Sequence, residues 1–164
     1  MKNPKIISPG AQLLKKTGAL KKQGKKIVFT NGCYDILHAG HVRFLNKAKK
    51  MGDVLLLALN SDESVRRIKG PKRPITPQAE RAEIMASLSS VDIVSFFSED
   101  DPYNIIKSVV PDVLVKGGDW AIGKIIGADI VRAAGGSVRN IKYEKGMSTT
   151  NIIAKVLKVY GGAK

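Results

Sequence analysis

His38 and His41 are the only two histidines among 164 residues, and they stand three positions apart in His38-Ala39-Gly40-His41. They close a longer stretch, Thr30-Asn31-Gly32-Cys33-Tyr34-Asp35-Ile36-Leu37, which follows the run Lys26-Ile27-Val28-Phe29. Such an order reads as strand, glycine turn and helix start. Side chains three apart in a first helical turn share one side, so both imidazoles can face one point. The free N–H groups and positive dipole end of that helix favour an anion there. The pattern therefore predicts a phosphate site. Two plain surface histidines are the bland alternative. A zinc pair is weaker, because zinc takes three or four protein ligands while Cys33 is the sole thiol and no third histidine exists.

Three further clusters carry polar or cationic groups. Arg66 to Thr76 holds Arg67, Lys69, Gly70, Pro71, Lys72, Arg73 and Pro74, and its prolines predict a surface loop with several cations. Lys116-Gly117-Gly118-Asp119-Trp120 is a glycine turn flanked by opposite charges. Gly146-Met147-Ser148-Thr149-Thr150 leads into a last helix, with Ser148 or Thr149 as its N-cap. There is no Gly-x-x-x-x-Gly-Lys-Ser/Thr and no Gly-x-Gly-x-x-Gly, so kinase and dehydrogenase readings lose their usual support.

The elements that must position these clusters follow from periodicity and punctuation. Strands are expected at 26–30, 54–59, 91–97, 113–115 and 137–142, and helices at 11–23, 42–51, 77–88, 102–109, 128–134 and 151–160. Thr76 is expected to cap the third of these helices, with Pro77 at its first position. Residues 121–127 read as loop. The second strand has no polar alternation, as befits a strand covered on both faces. Strand and helix alternate five times, which predicts a five-stranded parallel sheet in a Rossmann-like, three-layer α/β/α fold. Ligands in such folds sit beyond the carboxyl ends of the strands, where the polar clusters converge.

Composition narrows the partners. The chain carries 28 basic and 14 acidic residues, a net charge of +14, which favours acidic partners. Aromatic residues make up 5% and none forms a stacking ribbon among the cations, so RNA binding is disfavoured. Six lysines between Lys15 and Lys26 read as a solvated basic face. The expected organisation is one domain over 1–164, with 1–25 a basic helix and lead-in, in a cytoplasmic protein without signal or membrane segment.

Taken together, Thr30 to Asp35 with His38-Ala39-Gly40-His41, then Lys116-Gly117-Gly118-Asp119 and Ser148-Thr149-Thr150-Asn151-Ile152-Ile153, resemble the cytidylyltransferase-like nucleotidyltransferase superfamily. Asn60-Ser61-Asp62 and Lys69-Gly70-Pro71-Lys72-Arg73-Pro74-Ile75 add a likeness to its heptose 1-phosphate adenylyltransferase branch. The resemblance spans residues 26 to 157. It implies transfer of AMP from ATP to D-glycero-β-D-manno-heptose 1-phosphate, with Mg2+ carried by ATP and pyrophosphate released. A cytidylyltransferase or adenylyltransferase for another sugar or polyol phosphate is the alternative, and a basic nucleic-acid-binding protein is the alternative from another class.

The resemblance also implies roles. His38 and His41 would stabilise charge on the triphosphate, and Lys69 would bridge the two phosphates, with Lys72 competing for that place. Asn31, Cys33, Tyr34, Gly40 and Arg81 would contact the nucleotide, Arg81 as the phosphate-contacting arginine of the superfamily. Ser148, Thr149 and Thr150 would hold the β- and γ-phosphates, and Lys116, Gly117 and Asp119 the ribose and adenine edge. Asn60, Asp62, Lys69 and Lys72 would meet the sugar phosphate. Asp35 and Asp62 are expected to fix turns rather than act as bases, and no metal ligand is assigned. Gly123-Lys124 stands where the branch has an acidic loop, which bears on the acceptor. In many relatives the domain is fused to a sugar kinase; here a stand-alone transferase is expected, with a homodimer left open.

Overall fold

The fold is built on its most apolar strand. In the computed structural model, which describes residues 3–118, 120–142 and 146–162, β2 (Val54–Asn60) is buried along its whole length. It lies next to β1 (Ile27–Gly32), and the order across the sheet is β3 (Ile93–Phe97), β2, β1, β4 (Val113–Gly117), β5 (Ser137–Ile141). All pairings are parallel. The five-stranded parallel α/β fold expected from the alternation is therefore present.

Side chains alternate between the two faces of each strand, so each face has its own core. Ile27, Phe29, Leu56 and Ile93 pack on one face with Leu13 of α1 (Ala11–Lys22), Ile105, Ile106 and Val109 of α5 (Tyr103–Val109) and Val131 of α6 (Ala128–Ala133). Val28, Leu55, Leu57, Val94 and Val113 pack on the other with Phe44, Leu45 and Ala48 of α2 (Ala39–Lys49) and Ala82 and Met85 of α4 (Gln78–Ala86). Each such leucine stabilises the fold by about 1.5–3 kcal/mol relative to an exposed one.

One expectation is corrected outright. Residues 66–69, expected as the opening of the basic loop, instead close a helix, α3 (Asp62–Lys69), which the sequence reading did not assign. Ser61 caps it by accepting from the N–H of Ser64, and Asp62 and Glu63 favour the positive end of its first turn. The proline-rich loop begins only at Gly70. Smaller corrections fall at element ends: α4 starts at Gln78 with Pro77, not Thr76, at the cap, β3 starts at Ile93, and α7 (Thr149–Tyr160) starts at Thr149. Residues 121–127 contain a short 3-10 turn at Ile122–Lys124. Ile6 also pairs with Val94 alongside β3, which the sequence did not signal. Lys15, Lys16, Lys22 and Lys25 are exposed, as expected of a solvated basic face.

The strands do not stay together at their carboxyl ends. β1 pairs with β2 as far as Gly32 and Leu59, and β4 with β5 as far as Gly117 and Ile141. Between β1 and β4 the paired positions end at Phe29 and Leu114. This is where the strand order reverses, so the sheet opens into a crevice at its topological switch point.

Candidate active site

His38 is the N-cap of α2, and its carbonyl accepts from the N–H of His41 at 2.9 Å. That single turn brings the two imidazoles together: their centroids are 3.7 Å apart and the rings stack at 22°. The Tyr34 ring lies against His41 with centroids 4.9 Å apart. Gly40 allows this close approach: a Cβ on it would sit 3.0 Å from Nδ1 of His38 and 3.1 Å from Cβ of Met147, tighter than ordinary van der Waals contact. The common side expected from the spacing of three is therefore present.

Burial lowers the pKa of His38, and burial together with the neighbouring His38 lowers that of His41 to about 4. Both rings are neutral at pH 7. Nδ1 of each is buried and has no hydrogen-bond partner among the described residues. The depressed value fixes the sign of a stability effect. Below about 6.5 the unfolded chain takes up a proton that folded His41 refuses, so stability falls as pH drops from 6.5 toward about 4. Asp35, whose pKa is lowered below 3.8, adds stability that is lost only at more acid pH. Urea midpoints at pH 7, 5.5 and 4.5 should decline for the wild type and decline less for His41→Gln. Equal slopes would rule out the histidine as the cause.

A cavity of about 760 Å3 opens beside the histidines, above the split between β1 and β4. It gathers Asn31, Cys33, Tyr34, His38, Gly40 and His41 from the β1 turn, Asn60 and Lys69 from the β2 side, Lys116 and Gly117 from β4, and Ser148, Thr149 and Thr150 from the start of α7. Ser148 caps α7 by accepting from the N–H of Asn151 at 3.1 Å. The hydroxyl of Thr149 lies 3.5 Å from the carbonyl of Ile36, which ties α7 to the histidine turn. Ile68, Trp120, Ile125, Ile126 and Met147 supply apolar wall that sequence reading did not single out as binding surface. Their signal was weak, since apolar residues in loops usually report packing.

Three expected site residues are placed elsewhere. Arg81, expected at a phosphate, is fully buried and turned inward. Its guanidinium donates to the carbonyls of Cys33 at 2.6 Å, Asn60 at 2.9 Å and Thr76 at 3.0 Å and to Oδ1 of Asp62 at 2.7 Å. Asp62, expected at the sugar phosphate, spends its second oxygen on the N–H of Gln78. Lys72 is exposed outside the cavity wall. Asp119 lies outside the described residues. Replacing Arg81 by methionine leaves three carbonyls and a carboxylate without their donor. The expected loss is about 3–5 kcal/mol of unfolding free energy, read from urea denaturation, and a loss below 1 kcal/mol would contradict the bonding described.

Asp35 holds the opposite side. Its buried carboxylate accepts from the Arg73 guanidinium and from the N–H groups of Ile75 and Thr76. Burial would raise its pKa, but these hydrogen bonds and the Arg73 charge bring it below the ordinary range. Asp35 and Asp62 thus fix turns, the role expected of them. Among the described residues no three acidic, histidine or cysteine side chains cluster to hold a metal, and no helix is long and apolar enough to cross a membrane.

Comparison with known proteins gives this geometry a family. The chain is 53% identical over 143 residues to the "Bifunctional protein HldE" of Geobacter sulfurreducens, covering 87% of this chain and 29% of that protein. It is 55% identical to the protein of the same name from Geobacter metallireducens, with the same shares covered. The chain thus spans under a third of the curated relatives it matches. Among solved structures it is similar to the lipopolysaccharide core biosynthesis protein of Thermoplasma volcanium GSS1, with TM-score 0.60, 28% identity, and coverage of 76% of this chain and all of that one. A pantoate-beta-alanine ligase from Francisella tularensis, at 16% identity and TM-score 0.54, shares the fold. The cytidylyltransferase-like family profile matches residues 29–155, from the middle of β1 into α7, and the chain belongs to that family.

Proposed function

We propose that this chain transfers AMP from ATP to D-glycero-β-D-manno-heptose 1-phosphate and releases pyrophosphate. The observation that carries the reading is the pair of stacked, neutral imidazoles at the start of α2, facing a cavity whose other walls bring two lysines and the hydroxyls of α7. The identity to bifunctional relatives, and the likeness to a lipopolysaccharide core biosynthesis protein, support a sugar phosphate as acceptor.

The chemistry needs no protein nucleophile. An oxygen of the acceptor phosphate supplies the electron pair that forms the new bond to the α-phosphorus. The bond from that phosphorus to the bridging oxygen breaks, and pyrophosphate leaves with its pair. No proton has to move from the attacking oxygen. What the protein must supply is alignment of two mutually repelling phosphates and donors for charge that builds on the α-phosphoryl oxygens and the leaving group.

In this reading His38 and His41, neutral and therefore able to donate without being titrated, stabilise the developing charge. The N–H groups and hydroxyls at the start of α7 hold the β- and γ-phosphates. Lys69 approaches from the end of α3. Mg2+ would supply charge neutralisation on the phosphates. With Asp35 and Asp62 spent on Arg73 and Arg81, the residues fit an ion carried by phosphate oxygens and water, with the hydroxyls of Thr149 and Thr150 as neighbouring oxygen donors.

The test is pyrophosphate release with ATP or CTP against the heptose 1-phosphate, hexose 1-phosphates and glycerol 3-phosphate. Release with ATP and the heptose 1-phosphate at the highest kcat/KM is expected. Release with CTP alone would overturn the base, and preference for a polyol phosphate would overturn the acceptor.

A further inference from the structure

Two lysines enter the cavity from opposite sides of β1. Lys69 ends α3, which follows β2, and Lys116 stands near the end of β4. Because β2 and β4 are the two neighbours of β1, these cations flank the turn that carries Cys33, Tyr34 and Asp35.

Neither lysine has a carboxylate partner among the described residues. The Lys116 ammonium donates to Oδ1 of Asn31 at 3.0 Å, a side-chain bond that spans the crevice where β1 and β4 have parted. Asn31 is neutral and takes one of three donors. Lys69 makes no hydrogen bond or ion pair among those described. Arg73 also reaches the wall but is committed to Asp35, and Lys124 belongs to the rim formed by residues 121–127.

An ammonium withdrawn from water without a counter-ion is costly. Burial is the largest effect lowering the pKa of Lys116; the Cys33 thiol opposes it and the like charge of Lys69 adds to it. The carboxylates on the wall are engaged elsewhere, Asp35 with Arg73, Asp100 with Arg67 and Asp101 with the N–H of Tyr103, so two cations without an ion-pair partner among the described residues share one cavity and are complementary to a doubly charged ligand group. The adenine edge, where the resemblance would put Lys116, offers only neutral acceptors and would leave that cost standing.

We propose that Lys116 and Lys69 form a two-cation clamp on the phosphate of the acceptor, one from each side of β1, with Asn31 orienting Lys116. This rests on the adenylyltransferase reading and deepens it. Lys116 is a phosphate-binding residue of the acceptor subsite rather than part of the ribose and adenine edge. The clamp offsets the repulsion between the acceptor and the nucleotide phosphates, and it selects phosphate monoesters over uncharged sugars.

The test is a double-mutant cycle on the full chain with Lys116→Gln, Lys69→Gln and both together. The expected result for Lys116→Gln is an acceptor KM raised about 10- to 100-fold, as for loss of a charged hydrogen bond, with ATP affinity within threefold of wild type. Lys116→Arg keeps the charge and should recover part of the loss, which guards against a folding defect in the glutamine variant. Because both lysines act on one phosphate, the double variant should lose less than the product of the single losses. Weakened ATP binding with an unchanged acceptor KM, or losses that multiply, would overturn the clamp.

A binding measurement separates this from failure of the reaction itself. Trp120, the only tryptophan of the chain, lies on the cavity wall and reports occupancy by its fluorescence. Inorganic phosphate and a hexose 1-phosphate should bind to the wild type and weaken in both single variants, while the neutral hexose shows no binding. If wild type releases no pyrophosphate with any acceptor, the adenylyltransferase reading falls while this titration still decides the clamp. Phosphate binding that survives both substitutions would sink the clamp alone.

Discussion

Replacing His41 by alanine is expected to lower kcat by about 10²–10³-fold with the fold intact, the scale seen when one preorganised donor to a developing oxyanion is removed. The reasoning rests on charge. His41 is neutral at pH 7, so it contributes little to holding the ground-state triphosphate by Coulomb attraction, and its donor matters most as charge builds on the phosphoryl oxygens. KM for ATP should therefore move much less than kcat. The ring also covers Tyr34 and stacks on His38, so a modest loss of stability accompanies the change. Circular dichroism and steady-state kinetics on the same preparation separate the two. Turnover within threefold of wild type would take His41 out of the chemistry.

Gly32→Ala is expected to cost about 10²-fold in kcat/KM, the scale of a misplacement of about 1 Å in a reacting geometry, although residue 32 is not itself one of the donors. A Cβ at this position would lie 2.8 Å from Cε2 of Tyr34, closer than such atoms approach. The Tyr34 ring is buried among the residues under α2 and leans on His41, so it cannot yield without shifting the histidine stack. The backbone of Gly32 is otherwise one an alanine accepts, since it is not among the glycines of positive φ. The expected signature is a loss of activity larger than the loss of stability. Kinetics and urea denaturation of one variant read both, and full activity would show that the ring has room to move.

How far the sequence disclosed these features depended on whether their causes were local. The histidine pair was legible because a spacing of three at a helix start carries its own geometry, and β2 because its six residues from Val54 to Leu59 form a continuous apolar run. The helix α3 was obscured by the cations and prolines that follow it, although Ser61 with Asp62 and Glu63 formed a local start signal. The inward turn of Arg81 was not legible. Its partners Cys33 and Asn60 lie 48 and 21 positions away and meet only once β1, β2 and α4 are packed. An arginine beside a phosphate site reads in sequence as a ligand whether it faces the cavity or the core.

The crevice has the same origin. Nothing local in β1 or β4 states that their pairing stops at Phe29 and Leu114, because register between strands far apart in the chain follows from how both pack against their other neighbours. That parting turns Lys116 from the end of an ordinary strand into a cation bridging an opening. Conversely, the +14 charge gave no hint of where anions bind, since the lysines of α1 are solvated and the cations at the cavity are a minority.

A structure with a non-hydrolysable ATP analogue and magnesium bound addresses the central claim most directly. The account predicts triphosphate oxygens within hydrogen-bond distance of the His38 and His41 rings, with the terminal phosphates against the first N–H groups of α7. A nucleotide seated away from the crevice, or imidazoles turned from its phosphates, would contradict it.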